Sequence, residues 1–496
     1  MGPFHRREFL QQSAAISAAL AALTPSDYLF AAPATTAARA PGPNDVLRVA
    51  VVGVKGRGMA HVGGFNNSNG CEIVTVCDVD SASTGAAMKA IEGKRGKAPK
   101  YEKDIRKVLE DKEVDVISIA TPNHWHALAA IWAMEAGKNV YVEKPVSHNV
   151  REGRIMVETA RRTKKICQTG TQSRSTQGIR DSMAYLHDGK LGKVNLSYGT
   201  CYKRRNSIGK VTAEQPIPGT LDYDLWCGPA PKLPLMRTKL HYDWHWTWAY
   251  GNGDLGNQGI HEMDKARWGL NKVGLPNSVM SVGGRFGYVD DGETANTQLC
   301  VFDYGDAELI FEVRGLESIS PYPGKAIEGK KGSNFVGNIF YGEKGIMICP
   351  NYASGIVLDK DLNVVTKFSG GGEDSHFGNF VKAVKANDHR LLHADIEEGH
   401  LSSALCHLGN ISYRLGAEKP IGEAAKISDN KDVQEAFVRM VAHLKDNNVD
   451  LGKAIGRVGP TLAIDPKTER FTGNNAAADA MLFREYRKGF EVPDKV

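Results

Sequence analysis

The sequence predicts an α/β protein: a doubly wound parallel sheet followed by an α+β domain with a large, mainly antiparallel open sheet. Three observations predict it. Short apolar runs alternate with helical patterns between residues 46 and 165, the order that builds a parallel sheet with helices on both faces. A glycine-rich turn, Gly53 to Gly58, directly follows the first run. Beyond about residue 190 the pattern changes to period-two strands separated by glycine turns such as Asp290-Asp291-Gly292.

Composition bounds the reading. A chain of 496 residues exceeds one ordinary domain. Its 42% hydrophobic and 24% charged content is that of a globular protein. The net charge of +5 comes with no dense Lys/Arg run interleaved with aromatics, so no nucleic-acid partner is expected. The eight cysteines include no C-x-x-C pair. They read as small buried hydrophobes rather than a disulfide framework or metal site.

Residues 1–44 read as a signal peptide and linker. His5-Arg6-Arg7-Glu8-Phe9-Leu10 precedes an alanine-rich run from Ser13 to Leu23, with small residues at Ala31-Ala32. That order is an export signal of the twin-arginine type. The apolar run is too short for a permanent span, so no stable membrane insertion is expected. The expected location is periplasmic or otherwise exported, with the twin-arginine machinery as a partner.

Residues 46–165 read as a dinucleotide-binding unit. Val46 to Val54 is apolar except for Arg48, as in a strand buried on both faces. The fingerprint G-x-G-x-x-G aligns on Gly53, Lys55 and Gly58, with Lys55 in the middle glycine's place and Gly56 one residue late. A second strand, Glu72 to Asp78, ends on an acid twenty positions after Gly58. A carboxylate at that spacing accepts ribose hydroxyls and repels a 2′-phosphate, favouring NAD over NADP. Lys55 and Arg57 keep NADP as the lesser choice.

A helix is expected over 104–110 and a strand over 114–120, breaking at Thr121-Pro122-Asn123-His124-Trp125-His126. A helix over 127–136 closes at Gly137. The next strand, Asn139 to Val142, delivers Glu143-Lys144-Pro145. Asn149 is the expected cap of a helix running to Thr163, and one more strand starts at Ile166.

Residues 166–430 read as the α+β domain and 431–496 as a C-terminal helical and wrapping extension. Strands are expected over 192–203, 279–286, 294–304, 308–313, 335–341, 345–348 and 355–358. Helices follow over 376–386 and 393–415. Between the first two of these strands lies His241-Tyr242-Asp243-Trp244-His245-Trp246-Thr247-Trp248. Aromatic faces beside polar groups suit a sugar, so His245 and Trp246 are substrate candidates, as are Tyr202, Lys203 and Arg204 at a strand end. The alternative for these residues is a core aromatic cluster and a solvated basic surface.

The motifs Gly53 to Gly58, Cys77-Asp78, Thr121 to His126, Glu143-Lys144-Pro145, Gln168 to Gln172 and Gly251 to Asp264 together resemble the Gfo/Idh/MocA oxidoreductase family, in its exported branch. The resemblance implies an NAD(P)-linked dehydrogenase acting on a CH–OH group of a sugar, glycoside or polyol. It implies a large sheet that forms the oligomer interface and one wall of the site. It places Gly53, Lys55, Gly56, Arg57, Gly58, Asp78, Thr121, Pro122, Asn123, His126, Glu143 and Lys144 at the cofactor, with no metal. Lys144 and His261 are the catalytic candidates. Asn257 stands where the family has an aspartate and joins His261 on the substrate side, while Asp264 is expected to brace His261. Two rival readings follow: a glycoside hydrolase or lyase that oxidises transiently and keeps a tightly bound NAD, and a non-catalytic sugar- or nucleotide-binding protein.

Overall fold

The computed structural model describes residues 46–68, 70–322, 332–372, 374–424 and 426–494. The export-signal reading lies outside these residues. The first unit is a six-stranded, all-parallel sheet of β1 (Leu47–Val52), β2 (Cys71–Cys77), β3 (Lys100–Glu102), β4 (Val116–Ile119), β5 (Asn139–Val142) and β6 (Cys167–Thr169), in the order β3-β2-β1-β4-β5-β6. The order reverses at β1, so the crevice beyond the carboxyl ends of β1 and β4 is the topological switch point where such sheets bind ligands. Val49, Val51 and Val116 face one helical layer, and Ala50, Val52 and Ile117 the other. Burial on both faces is why these strands read as continuous apolar runs.

Helix α1 (Gly58–Asn67) leaves the glycine turn. Helices α2 (Gly85–Arg95), α3 (Ile105–Glu110), α4 (Asn123–Glu135) and α5 (Val150–Thr163) complete the unit. Asp104 caps α3 and Asn149 caps α5, each accepting a backbone N–H of the first turn. Helix α4 starts four residues earlier than the sequence reading. Pro122, in extended conformation, is its N-cap, so Asn123 to His126 form its first turn rather than a loop.

After α6 (Gln177–His187), β7 (Val194–Tyr202) opens a sheet of twelve strands. Seven follow in chain order: β8 (Ser278–Gly284), β9 (Thr297–Asp303), β10 (Glu308–Arg314), β11 (Phe335–Gly342), β12 (Gly345–Cys349), β13 (Gly355–Asp359) and β14 (Val364–Phe368). All these neighbours pair antiparallel except β7 and β10. Four short strands, β15 (Ala417–Pro420), β16 (Ile455–Val458), β17 (Leu462–Asp465) and β18 (Arg470–Phe471), extend the far edge. The three beyond residue 450 are two to four residues long, too short to show a period in the sequence.

Successive residues of β10 part to opposite faces, as the pleat requires. Leu309, Phe311 and Val313 pack on α7 (Gly259–Gly269) and α9 (Ile396–Arg414), while Ile310 faces α10 (Lys431–Asp446). Helix α8 (Asp374–Ala386), read from sequence with the second unit, instead packs on the first. Phe377 stacks on Tyr141 of β5 at 4.9 Å, and Phe380 meets Phe65. Burying each phenylalanine contributes about 1.5–3 kcal/mol. The final segment returns to the first unit, where Phe490 and Val492 join the core around Trp125. All eight cysteines are free, and all but Cys71 are buried.

Candidate functional site

The glycine turn is shaped by two steric demands. Gly53 has φ of +81°, and a Cβ there would sit 2.8 Å from the Ala120 carbonyl oxygen. A Cβ on Gly58 would lie 1.8 Å from the Gly53 carbonyl oxygen. Only glycine fits either place, and the result is the start of α1 pressed against β1. At Gly56 a Cβ would meet nothing within 4 Å.

The crevice holds a cavity of about 310 Å³. Gly53, Lys55, Gly56, Arg57, Asp78, Thr121, Pro122, Asn123, His126, Glu143 and Lys144 line it from the first unit, and His245 and Asn257 from the second. Asp78 accepts hydrogen bonds from the Val54 and Asp80 amides, at 2.9 and 3.0 Å. Its carboxylate has four acceptor sites, so capacity is left for ribose hydroxyls. Burial pushes this carboxyl up against the lowering by those amides. The lysine in the second glycine's place is exposed rather than packed into the turn, so it leaves the cradle intact. Glycine turn, helix start and acid fit a dinucleotide.

Glu143 is the electrostatic hub. One oxygen accepts from Arg57 Nε at 2.7 Å, His61 Nε2 at 3.1 Å and Gln172 Nε2 at 3.4 Å. The other accepts from the Lys144 amide at 3.2 Å. Burial pushes this carboxyl up, yet the Arg57 charge, the His61 hydrogen bond and charge, and Lys144 outweigh it and hold it well below its usual range. His61 also meets Ser118 Oγ at 2.7 Å. It was not foreseen from sequence; its only signal is a polar residue on the buried face of α1. His126 lies between the Thr121 and Pro145 carbonyls, at 2.8 and 2.6 Å, tying the ends of β4 and β5 together.

Lys144 stands at the junction of the two units, just after β5. The Lys144–Pro145 peptide is cis. Its Nζ donates to the Asn257 carbonyl at 2.7 Å. Position 257 therefore holds the lysine through its backbone, a contact indifferent to whether the side chain is aspartate or asparagine. Burial holds the Lys144 amine below its ordinary value; the Glu143 charge opposes this and Arg57 adds to it. His261 is buried on α7, its ring 5.0 Å from that of Tyr352, and its Nδ1 has no hydrogen-bond partner among the described residues. Burial, then the Lys144 charge, hold it well below its ordinary value, so the ring is neutral.

His245 lines the cavity with Nδ1 2.6 Å from the Tyr242 carbonyl and its ring stacked on Trp244 at 3.7 Å. Burial, then the Lys144 and Arg205 charges, lower its pKa to about 3. A neutral ring donating from Nδ1 keeps Nε2 as an acceptor.

Three substrate candidates are turned elsewhere. Tyr202 is the last residue of β7 and faces α10: its hydroxyl donates to Glu312 and the Arg314 guanidinium lies 4.3 Å over its ring. Arg204 pairs with Glu317 at 2.7 Å, away from the crevice. Trp246 is buried under the Arg205 guanidinium at 5.3 Å. Lys203, between them in sequence, does point inward: it donates to Gln258 Oε1 at 2.8 Å and its charge reaches Lys144. Asp264 does not brace His261. It takes the Arg174 guanidinium, with contacts from 2.8 to 3.0 Å, and the Ser402 hydroxyl at 2.7 Å. Among the described residues no group of three or more His, Cys, Asp or Glu could hold a metal ion, and no helix is long and apolar enough to cross a membrane.

A six-stranded parallel sheet with a glycine turn, an acid at the end of its second strand and a lysine at the seam with a second unit defines a dinucleotide-binding α/β protein. The chain belongs to the Gfo/Idh/MocA family. Residues 47–171 match its oxidoreductase-family, NAD-binding Rossmann-fold model, and residues 185–440 match its C-terminal alpha/beta domain. Among curated relatives, the chain is similar to an alpha-N-acetylgalactosaminidase of Shewanella oneidensis, 33% identical over 184 residues, which are 34% of this chain and 39% of that one. It is likewise similar to a glycosyl hydrolase family 109 protein of Shewanella baltica, 35% identical over 182 residues with the same coverage. The match thus spans about two fifths of these relatives' length. Among solved structures, a levoglucosan dehydrogenase complexed with NADH and levoglucosan superposes with a TM-score of 0.55 at 16% identity, over 73% of this chain and 96% of that one. The WlbA dehydrogenase from Bordetella pertussis, complexed with NADH and UDP-GlcNAcA, gives 0.54 at 19% identity, over 74% and 96%. These two likenesses concern the fold.

Proposed function

We propose that the protein uses NAD, in preference to NADP, to oxidise or reduce a secondary hydroxyl of a sugar, glycoside or polyol. The observation that carries this is Lys144, which follows the cofactor-side Glu143 and is held by Asn257 of the second unit. Bound in the crevice, the nicotinamide would take hydride from the carbinol carbon. Lys144 holds the hydroxyl and moves its proton, with its amine already lowered by burial. Neutral His261 and the Nε2 of His245 are the nearby imidazole acceptors that can relay it. Asp78 binds the ribose, and Asn257 fixes the lysine rather than the substrate. In this reading the chain is exported with NAD tightly held, and copies associate through the large sheet.

The glycosidase names of the curated relatives favour a second reading at the same site. Transient oxidation acidifies the neighbouring C–H, the aglycone leaves by elimination, water adds, and the carbonyl is reduced again. One experiment separates the two. Protein purified without added nucleotide is mixed with a panel of sugars and aryl glycosides while nicotinamide absorbance and released aglycone are both followed. Continuing absorbance change with added NAD supports the dehydrogenase. Aglycone released over many turnovers with no net change supports the recycling glycosidase. Neither signal with any member of the panel, against a chain that binds NADH, would leave the binding-protein reading standing.

The lowered lysine also predicts a pH dependence. In the oxidative direction kcat/KM rises with pH as Lys144 loses its proton, with a midpoint below the 10.5 of an ordinary lysine. A profile flat through that range would remove Lys144 as the proton acceptor.

A further inference from the structure

A second cavity, of about 470 Å³, lies on the far side of Asn252 from the nucleotide crevice and shares no lining residue with it. Asn252 joins the two, accepting from the Asn123 side chain at 3.0 Å and donating to the His148 carbonyl at 3.1 Å. The walls come from four places: the segment after β5, residues 231–252, helix α9, and the C-terminal stretch from Ala480 to Glu485. Its size is within the range of small-molecule sites.

The lining of this cavity is net basic, two arginines against the exposed Glu485. Arg484 and Arg414 both line it, and neither forms an ion pair among the described residues. Arg484 is half-buried and spends one terminal nitrogen on the Ala249 carbonyl at 3.1 Å and the other on His148 Nδ1 at 3.2 Å. A guanidinium has five N–H donors, so others stay available. Because His148 Nδ1 accepts, its proton sits on Nε2, a further donor without a partner among the described residues. His407, 4% exposed, also has an unpartnered ring nitrogen. Arg414 stands at the mouth, its guanidinium 4.9 Å over the Trp248 ring. The acids nearby form no ion pair with either arginine, although the Glu152 charge acts on Arg484 and the Glu293 charge on Arg414. Glu152 accepts from the His148 amide and the Tyr486 hydroxyl, Glu293 from the Trp248 amide, and Glu485 is an exposed rim residue.

We propose that this cavity binds a small oxyanion, phosphate or sulfate, free or as a sugar ester, held between Arg484 and Arg414. Guanidinium forks match tetrahedral oxyanions, and charge-assisted hydrogen bonds of this kind are the strong ones. Burial, and then the Arg484 charge, keep His148 neutral, so its Nδ1 remains an acceptor that orients the Arg484 guanidinium. The site clasps the C-terminal segment, since Arg484 belongs to the stretch that carries Tyr486 and Phe490 onto α5 and α4. An occupant therefore stabilises that segment against the body of the protein.

The test uses the full chain with saturating NADH, which occupies the other anion-binding turn. Inorganic phosphate is titrated at constant ionic strength against sodium chloride, with the melting temperature and calorimetric binding as readouts. A saturable rise is expected, about tenfold or more weaker in Arg484→Gln and in Arg414→Gln. Arg414 is exposed, so its variant tests the site even if Arg484→Gln loosens the tail. Inorganic sulfate, glucose 6-phosphate and glucose 6-sulfate form further arms. Tighter binding of an ester than of the free ion identifies an ester as the ligand, and equal binding identifies the ion. No saturable effect beyond chloride for any of these probes, equal binding by both arginine variants and the wild type, or binding abolished by NADH would each overturn the proposal.

Discussion

Lys144→Met lowers turnover by about 10²–10⁴-fold, the range that a positioned proton-transfer group supplies, while NADH still binds. Methionine fills nearly the same volume, so the junction between the units stays packed. What is lost is the amine, with its bond to the Asn257 carbonyl and its exchangeable proton. In the proposed reading the nucleotide is held by other groups: the Gly53 turn, the start of α1 and Asp78. Fluorescence titration with NADH and single-turnover kinetics on the same preparation separate the two effects. Near-normal turnover in the variant would end the case for Lys144. Loss of NADH binding would make it a cofactor ligand instead.

Asp264→Ala destabilises the fold by about 3–5 kcal/mol, because it strands a buried guanidinium. Asp264 and Arg174 are 1% and 5% exposed, respectively. The pair is bidentate, and the Ser402 hydroxyl satisfies a further lone pair. Glu398, 2.9 Å from Arg174, keeps part of the compensation, which puts the expectation at the lower end. A loss of this size is a large share of a typical 5–15 kcal/mol. Urea denaturation of the variant measures it. The double variant Arg174→Met/Asp264→Ala should recover much of the loss, since removing both charges removes the stranded one. A single variant as stable as wild type would show that Glu398 alone carries Arg174. Because α7 carries both Asp264 and His261, some loss of activity should accompany the loss of stability.

Asp264 shows what local helix geometry leaves open. Three positions after His261 on a helix, it was expected beside that histidine by local geometry alone. Its partner lies ninety positions away, in a segment that no local period connects to it. Tyr202 and Trp246 failed for a related reason. A strand residue's face flips with each step, and the regular pairing of β7 runs to Tyr202, so Tyr202, Lys203 and Arg204 cannot all turn inward; which face meets the site is set by the packing of the whole sheet. Lys203 turns inward; its two neighbours do not. Trp246 is a substrate candidate by its ring alone, and that ring lies against the Arg205 guanidinium instead.

What the sequence by itself determined is the first unit and its ligand-facing ends. Both faces of β1, β4 and β5 are buried, so apolar runs mark them. The turn at Gly53 and Gly58 admits no other residue, so the steric demand is written as glycine. Residues at strand carboxyl ends are contiguous in sequence, which is why Asp78, Thr121 to Asn123 and Glu143-Lys144 could be read as one cavity before any fold was known. Only the tertiary structure decided the rest. It docked α8 on the first sheet, placed His61 under Glu143, and brought the Asn257 carbonyl to Lys144. It also folded the tail back to wall a second cavity. Each of these depends on contacts between distant segments, and such contacts leave no local pattern because either partner alone is an ordinary residue.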